Sequence, residues 1–170
     1  KYLLLPNIDL DSIGPMIDLC NSHKNCIPMM GLHPCSIDAG YSNTLEKIRI
    51  ELFNSKEQYI AVGEIGIDLY WDQKYVQEQS DAFRLQIQWA KELKLPIVIH
   101  ARESYPEIFA VLDEENDSNL KGVFHCFSGT ESDAAHILSH GGFKMGIGGT
   151  ITYKKSKLLY VIKNIALEHI

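Results

Sequence analysis

Short apolar runs alternate along the whole chain with segments whose apolar residues recur at helical spacing. One such segment carries Ile13, Met16, Ile17 and Cys20 at positions i, i+3, i+4 and i+7. This spacing places all four on one face of a helix. Each apolar run ends in a glycine, a histidine or another polar residue, which is typical of a strand that enters a loop. The pattern predicts strands at residues 1–6, 26–32, 58–62, 96–100, 122–125 and 143–147.

The ends of two helices are indicated by residues that favour helix termini. Ser104 is a candidate N-cap, and Pro106 would then lie in the first helical turn, where its missing N–H costs no hydrogen bond. Gly141 and Gly142 follow a helical pattern at 132–140 and predict that this helix ends there. A long helix is predicted to end near Leu93, and further helical patterns lie at 45–53 and 157–164.

The strict alternation of strands and helices predicts an α/β fold with parallel strands, because parallel neighbours need a crossover helix between them. Nearly continuous apolar strands indicate a sheet that is covered on both faces. A barrel and a doubly wound open sheet both fit this pattern. A closed barrel of eight units usually needs about 250 residues, whereas this chain supplies six strands in 170 residues. We therefore expect residues 1–170 to form a single barrel domain that is incomplete at one or both ends.

Composition narrows the class of protein. Hydrophobic residues make up 45% of the chain and charged residues 22%, as in an ordinary globular domain. No apolar run reaches the ~18 residues of a membrane span, and the start lacks the pattern of a signal peptide. The four cysteines form no C-x-x-C pair, which favours free thiols in a reducing compartment. We expect a cytoplasmic monomer that does not associate with a membrane.

The net charge of −6 argues against a broad basic surface for nucleic acid. It remains compatible with a nucleic-acid end that metal ions hold in a cleft. The charge therefore limits the mode of binding and leaves a nucleic-acid substrate open.

Potential metal ligands lie at or just past the C-terminal ends of four successive predicted strands, where parallel α/β sheets build their sites. Two imidazoles and a carboxylate are a common ligand set for a catalytic divalent ion. A metal would also explain why Glu64 interrupts an apolar stretch, since a buried carboxylate is costly without a partner. With two oxygens, Glu64 could bridge two ions, as in sites that clamp a phosphoryl group. The four residues are His33, Glu64, His100 and His125.

Simpler roles are open for the same residues. Any single histidine at a strand end can be a hydrogen-bonded structural residue. Arg102 can form an ion pair with Glu103 or Asp68, or it can bind phosphate through its planar fork of donors. Asp68 can fix the loop after Glu64 or support a metal ligand from behind. Tyr70 and Trp71 can stack on a base or pack within their loop. The remaining histidines, His23, His136, His140 and His169, are expected at the surface.

Five segments, taken together and in order, resemble the TatD family of metal-dependent deoxyribonucleases. They read GLHPC, AVGEIGID, LPIVIHARES, GVFHCFSGT and GFKMGIGG and span residues 31–149. The resemblance implies an eight-stranded (β/α) barrel, here with about six of the eight units. It also implies a two-metal site that uses Mg, Mn or Zn and hydrolyses DNA phosphodiesters in the manner of an exonuclease.

The resemblance also assigns roles to individual positions. Glu64 resembles the bridging metal ligand and is a candidate catalytic residue, and His100 and His125 resemble the other ligands of the second metal. His33 resembles the histidine near the substrate phosphate, which makes it a candidate for catalysis and for substrate binding. Arg102 matches the arginine two residues past the histidine of the fourth strand and is a candidate for substrate binding.

Two family motifs are absent from this sequence. The H-x-H pair of the family's first strand and the E-T-D aspartate of its last strand help to hold the first metal, and neither occurs here. We therefore expect the chain to be an excerpt that lacks the first and eighth strands. Leu69 also replaces an aromatic residue that many relatives carry. Two other functions stay open, namely a metal hydrolase for a small ester, amide or lactone, and a non-catalytic metal-binding protein.

Overall fold

Six parallel strands follow one another in chain order in the computed structural model, which describes residues 1–170. A helix follows each strand. The strands are β1 (Leu3–Pro6), β2 (Cys26–Met29), β3 (Val62–Asp68), β4 (Ile97–Arg102), β5 (Gly122–Phe124) and β6 (Phe143–Met145). The helices are α1 (Leu10–Ser22), α2 (Tyr41–Asn54), α3 (Val76–Leu93), α4 (Tyr105–Glu115), α5 (Glu131–Ser139) and α6 (Leu158–Ile162).

The strand order identifies the barrel rather than the open sheet. β1 pairs with β2, and β3 to β6 form a second parallel sheet in the order of the chain. A parallel bridge between Met30 and Val62 joins the two sheets. A doubly wound sheet reverses its strand order at a switch point, and no reversal occurs here. The architecture is that of a TIM-type (β/α) barrel, with about six of its eight units.

Alternation along the strands separates the interior of the barrel from its outer core. Ile97 and Ile99 of β4 point into a large cluster of 31 buried residues between the strands and the helices. Val98 lies between them and joins a small interior cluster with Met29 and Ala61. This period of two is what a strand buried on both faces requires.

The third strand is displaced from its predicted position. The prediction of a strand at 58–62 is wrong, because Lys56–Gln58 is a 3₁₀ turn and β3 runs from Val62 to Asp68. Gly63 and Gly66 lie inside the strand, where Val98 and His100 leave no room for a Cβ. Glu64 therefore lies within a fully buried strand and not in the loop after it.

Ser104 occupies the N-cap position of α4 but does not cap the helix with its side chain. Its hydroxyl accepts a hydrogen bond from the Arg102 N–H at 3.1 Å and donates one to the Ile67 carbonyl at 2.6 Å. The side chain thus ties the end of β3 to the end of β4. The predicted end of α5 is confirmed, since Gly141 follows the helix with a φ of +77°.

All four cysteines are free, as predicted. No helix of the structure combines the length and the apolar character needed to cross a membrane.

Candidate metal centre

Glu64 lies at the centre of the candidate site, and two imidazoles contact the same carboxylate oxygen. Its Oε1 is 2.7 Å from Nδ1 of His125 and 3.2 Å from Nδ1 of His100. The Glu64 side chain is 8% exposed and belongs to β3, whereas His100 belongs to β4 and His125 directly follows β5. Three neighbouring strands therefore bring together the three residues that the sequence singles out as metal ligands.

Asp68 supports His100 from the side opposite Glu64. Its Oδ2 lies 2.8 Å from Nε2 of His100, and its Oδ1 accepts the Tyr70 N–H at 3.0 Å. Asp68 is 3% exposed and is the last residue of β3. It follows Glu64 by four residues on the same strand, a spacing that gives both carboxylates the same face. Both ring nitrogens of His100 are thus held by buried carboxylates.

Charges of opposite sign stabilise one another in this cluster. Burial raises the pKa of Glu64, but hydrogen bonds from His100 and His125 outweigh it and lower the pKa to about 2. Burial lowers the pKa of His100. Its hydrogen bonds to Glu64 and Asp68 raise that pKa by more, so the net shift is upward. The hydrogen bond to Glu64 also raises the pKa of His125. The carboxylates therefore favour positive charge at the positions that the two imidazoles occupy.

His33 lies beside this cluster as a neutral imidazole. It follows β2, and its ring meets the His100 ring edge-on with centroids 4.5 Å apart. Burial, followed by the nearby His100, lowers the pKa of His33 to about 4. Nδ1 of His33 accepts the Cys35 N–H at 3.1 Å. The ring proton of the neutral side chain therefore resides on Nε2, which makes that atom a hydrogen-bond donor.

Two cysteines at the site were not singled out by the sequence analysis. Burial, with the nearby Asp68 carboxylate, raises the pKa of Cys35 to about 11, so this side chain stays a thiol. Sγ of Cys126 lies 3.3 Å from Nε2 of His125. Each cysteine comes one or two residues after a predicted site histidine, and that adjacency was the available signal.

Arg102 stacks on aromatic rings instead of forming either of the ion pairs considered from the sequence. Its guanidinium carbon is 3.6 Å from the centroid of the Tyr70 ring and 5.3 Å from that of Trp71. Asp68 is paired with His100 instead. Both aromatic side chains are exposed. The loop after β3 and the end of β4 thus present a planar cation stacked on exposed aromatic side chains.

The donor set fits a divalent metal ion. One ligand atom each of His33, Glu64 and His100 lies within 4.8 Å of the others, and His125 contacts the same Glu64 oxygen. A cavity of about 250 Å³ inside the barrel reaches Glu64 and His125. Imidazole nitrogens and an ionised carboxylate are the ligands that zinc-like ions prefer, and Glu64 already stabilises positive charge there.

The expectation for the four remaining histidines is wrong for one of them. The His140 side chain is only 7% exposed, because it packs between α4 and α5 and contacts Asp113. His23 and His169 are solvent-accessible, as predicted. His136 is partly exposed, with 37% of its side chain accessible, and contacts the same Asp113.

Known proteins resemble this chain over nearly all of its length. The family model described as TatD related DNase matches residues 1–170. A Bacillus subtilis protein named uncharacterized metal-dependent hydrolase YabD is 29% identical over 157 residues, which cover 92% of this chain and 60% of that protein. A Cronobacter sakazakii protein named 3'-5' ssDNA/RNA exonuclease TatD is 33% identical over 149 residues, which cover 88% of this chain and 56% of that protein.

A solved structure has the same fold. The crystal structure of YjjV, a TatD homologue from Escherichia coli K12, matches with a TM-score of 0.90 at 28% identity. The match covers 99% of this chain and 64% of that one. This chain therefore spans less than two thirds of the length of each of these relatives.

Proposed function

Because this chain belongs to the family of TatD-related DNases, we propose that the protein hydrolyses phosphodiester bonds at the ends of DNA strands with divalent metal ions. The observation that carries the proposal is the contact of His100 and His125 with one oxygen of the buried Glu64 carboxylate, at 3.2 and 2.7 Å. The name of the Cronobacter sakazakii relative supports an exonuclease that acts on single strands.

Glu64, His100 and His125 would hold one ion, and the second oxygen of Glu64 would allow it to bridge to another. Mg, Mn and Zn are the candidate metals. When bound, such ions supply Lewis acidity toward phosphoryl oxygens and make water nucleophilic near neutral pH. Asp68 holds the His100 ring in one orientation through its bond to Nε2. That contact is the arrangement that typically sustains a metal-ligating histidine.

His33 and Arg102 would bind the substrate phosphate. His33 is neutral at pH 7, since burial lowers its pKa to about 4, and it carries its proton on Nε2. It can therefore donate a hydrogen bond to a phosphoryl oxygen without bringing a second positive charge next to the metal. Arg102 offers a planar fork of donors that matches phosphate geometry.

Tyr70 and Trp71 would stack on the terminal base. They are 48% and 72% exposed, and the Arg102 guanidinium lies over both rings. Aromatic stacking tolerates any base and suits a single strand. The net charge of −6 disfavours tight binding along a duplex, which agrees with a substrate held by its end. We further propose that residues 1–170 belong to one domain of a cytoplasmic monomer.

Hydrolysis of end-labelled oligonucleotides, single-stranded and duplex, tests the proposal. The protein is stripped of metal with a chelator and then supplied with Mg, Mn or Zn. We expect stepwise shortening of single strands only when metal is restored, and none by Glu64→Gln. Glu57→Gln is the matched control, because that glutamate side chain is 90% exposed and remote from the site.

Three results would overturn the proposed activity. Cleavage that persists in the chelator would exclude a metal-dependent reaction. Turnover of small esters or lactones without turnover of DNA would favour the alternative hydrolase, and metal binding without either reaction would favour a non-catalytic protein.

A further inference from the structure

A second group of metal-ligating side chains lies where α4 and α5 end, away from Glu64. Asp113 is in the last turn of α4, and His136 and His140 are at the end of α5. Helices of a (β/α) unit run antiparallel to the strands, so their C-terminal ends lie at the rim where the next strands begin. The group therefore occupies the opposite rim of the barrel from the Glu64 carboxylate.

The three side chains converge on one point. His136 and His140 are four residues apart, which places both imidazoles on the same face of α5. Oδ1 of Asp113 lies 2.8 Å from Nε2 of His136 and 2.8 Å from Nε2 of His140. The two rings are nearly parallel, with an angle of 13° and centroids 5.2 Å apart. Both Nε2 atoms thus face the same carboxylate oxygen.

Aromatic neighbours fix both rings. The His136 ring stacks on Phe109 with centroids 4.1 Å apart, and the His140 ring packs edge-on against Phe143 at 5.9 Å. His140 is 7% exposed at its side chain, and its Nδ1 is buried without a hydrogen-bond partner. Asp113 is the sole hydrogen-bonding partner of the His140 ring. Both imidazoles are therefore held in place before any ligand arrives.

We propose that Asp113, His136 and His140 form a zinc-binding site that joins α4 to α5. Two imidazoles and a carboxylate make a common set of three zinc ligands, with the fourth position open to water. Water can reach that position, because the Asp113 side chain is 51% exposed. The ion would take the place of the two Nε2 protons whose hydrogen bonds Asp113 now accepts, and binding would release these protons or shift them to Nδ1.

The required movement is small. Tetrahedral zinc bonds of about 2.0–2.2 Å separate the ligand atoms by roughly 3.3 Å. The two contacts of 2.8 Å would each open by about half an ångström, which rotation of the exposed Asp113 side chain allows. The ligand atoms already lie within 4.8 Å of one another. The site would cross-link two consecutive β/α units at the outer surface of the barrel.

Zinc stoichiometry and affinity separate this site from the Glu64 site. The protein is stripped of metal and titrated with Zn²⁺ against a chromophoric chelator, and Co²⁺ absorption then reports the ligand geometry. The variants are Asp113→Asn, His136→Gln and Glu64→Gln, each close in shape to the original residue. His23→Gln is the matched control for binding by a solvent-exposed histidine.

We expect Asp113→Asn and His136→Gln each to lower the zinc affinity of one class of site by about 100-fold or more. Loss of a direct ligand should cost at least as much affinity as loss of the residue that supports it. Glu64→Gln should retain that class, and His23→Gln should change nothing. Zinc should raise the melting temperature of Glu64→Gln but not that of Glu64→Gln/His136→Gln.

Equal zinc stoichiometry and affinity in the wild type, Asp113→Asn and His136→Gln would overturn the proposal. The cluster would then be a metal-free set of hydrogen bonds between two helices. Because the measurement is made on zinc binding in the Glu64→Gln background as well, its outcome does not depend on whether the protein cleaves DNA.

Discussion

Gly66 of β3 pairs with His100 of β4, and a Cβ at Gly66 would collide with the His100 carbonyl oxygen. The backbone of Gly66 also has a φ of +143°, which side chains other than hydrogen disfavour. This close approach sets the spacing between the strand that carries Glu64 and the strand that carries His100.

Gly66→Ala should therefore both destabilise the protein and weaken metal binding. We expect the free energy of unfolding to fall by about 2 kcal/mol or more, from backbone strain and the steric conflict. Gly14→Ala in α1 is the control, because no atom lies within 4 Å of its added Cβ and alanine favours the helix by about 0.5–1 kcal/mol. Chemical denaturation measures the free energy of unfolding of both variants. Equal stability of the two would contradict the close approach of Gly66 to His100.

Asp68→Asn should reduce metal affinity more than it reduces stability. The amide keeps an oxygen for the Tyr70 N–H but removes the charge that holds Nε2 of His100. Loss of such a partner typically costs 10–100-fold in metal affinity or activity, so excess metal should restore most of the activity. Asp72→Asn, at an exposed residue of the loop that follows β3, should behave as the wild type. Metal titrations of activity would distinguish the two, and identical curves would remove Asp68 from the site.

Glu64→Gln should cost far more activity than Arg102→Ala. Glu64 contacts both imidazoles, whereas Arg102 would contribute one charge-assisted contact of about 1.5–3 kcal/mol. That energy corresponds to a loss of roughly 10–150-fold in kcat/KM for Arg102→Ala, while Glu64→Gln should fall to background. Steady-state kinetics on oligonucleotides would measure both. Losses of equal size would show that Glu64 is not the central ligand.

Tyr59→Phe should lower stability in a manner that depends on pH. The Tyr59 hydroxyl donates a hydrogen bond to Glu51 at 2.9 Å, and its removal should cost about 1 kcal/mol at pH 7. Burial, followed by the Glu51 contact, raises the pKa of Tyr59 in the folded state. A raised pKa gives stability that is complete below the unfolded value of about 10 and is lost as pH rises above it.

The difference between wild type and Tyr59→Phe should therefore shrink between pH 9 and pH 11. Urea denaturation at several pH values would measure it. A difference that grows with pH would show that the tyrosine is ionised more easily in the folded protein than in the unfolded chain.

The local pattern of apolar and polar residues predicted five of the six strands close to their observed positions, but it misplaced β3. The apolar run before Gly63 and the two glycines that follow it have the form of a strand that ends in a turn. In the fold those glycines are needed inside the strand, because neighbouring backbone and the Val98 side chain lie too close for a Cβ. Such a requirement comes from another strand and leaves no mark in the local sequence.

The residues of the candidate metal centre could be predicted when a histidine or a carboxylate stood out by itself near the end of an apolar strand. His100 and His125 were predicted as ligands in this way, and so was Glu64 as a carboxylate among apolar residues; the structure brings the three side chains into contact. The partner of a residue was harder to predict, because it belongs to another unit. The cluster between α4 and α5 is an example. Asp113 lies 27 residues from His140, and the sequence showed only that His136 and His140 are four residues apart.

The contacts of Glu64 also have a consequence for how the chain comes apart. They join positions 36 and 61 residues apart, so the carboxylate has its partners only when β3, β4 and β5 are all docked. Detaching any one of these strands separates the buried Glu64 charge from at least one of its two imidazole partners, which is costly. Opening of this region should therefore be cooperative. A ligand that binds only the assembled state would raise the free energy needed to open this region by RT ln(1 + [L]/Kd).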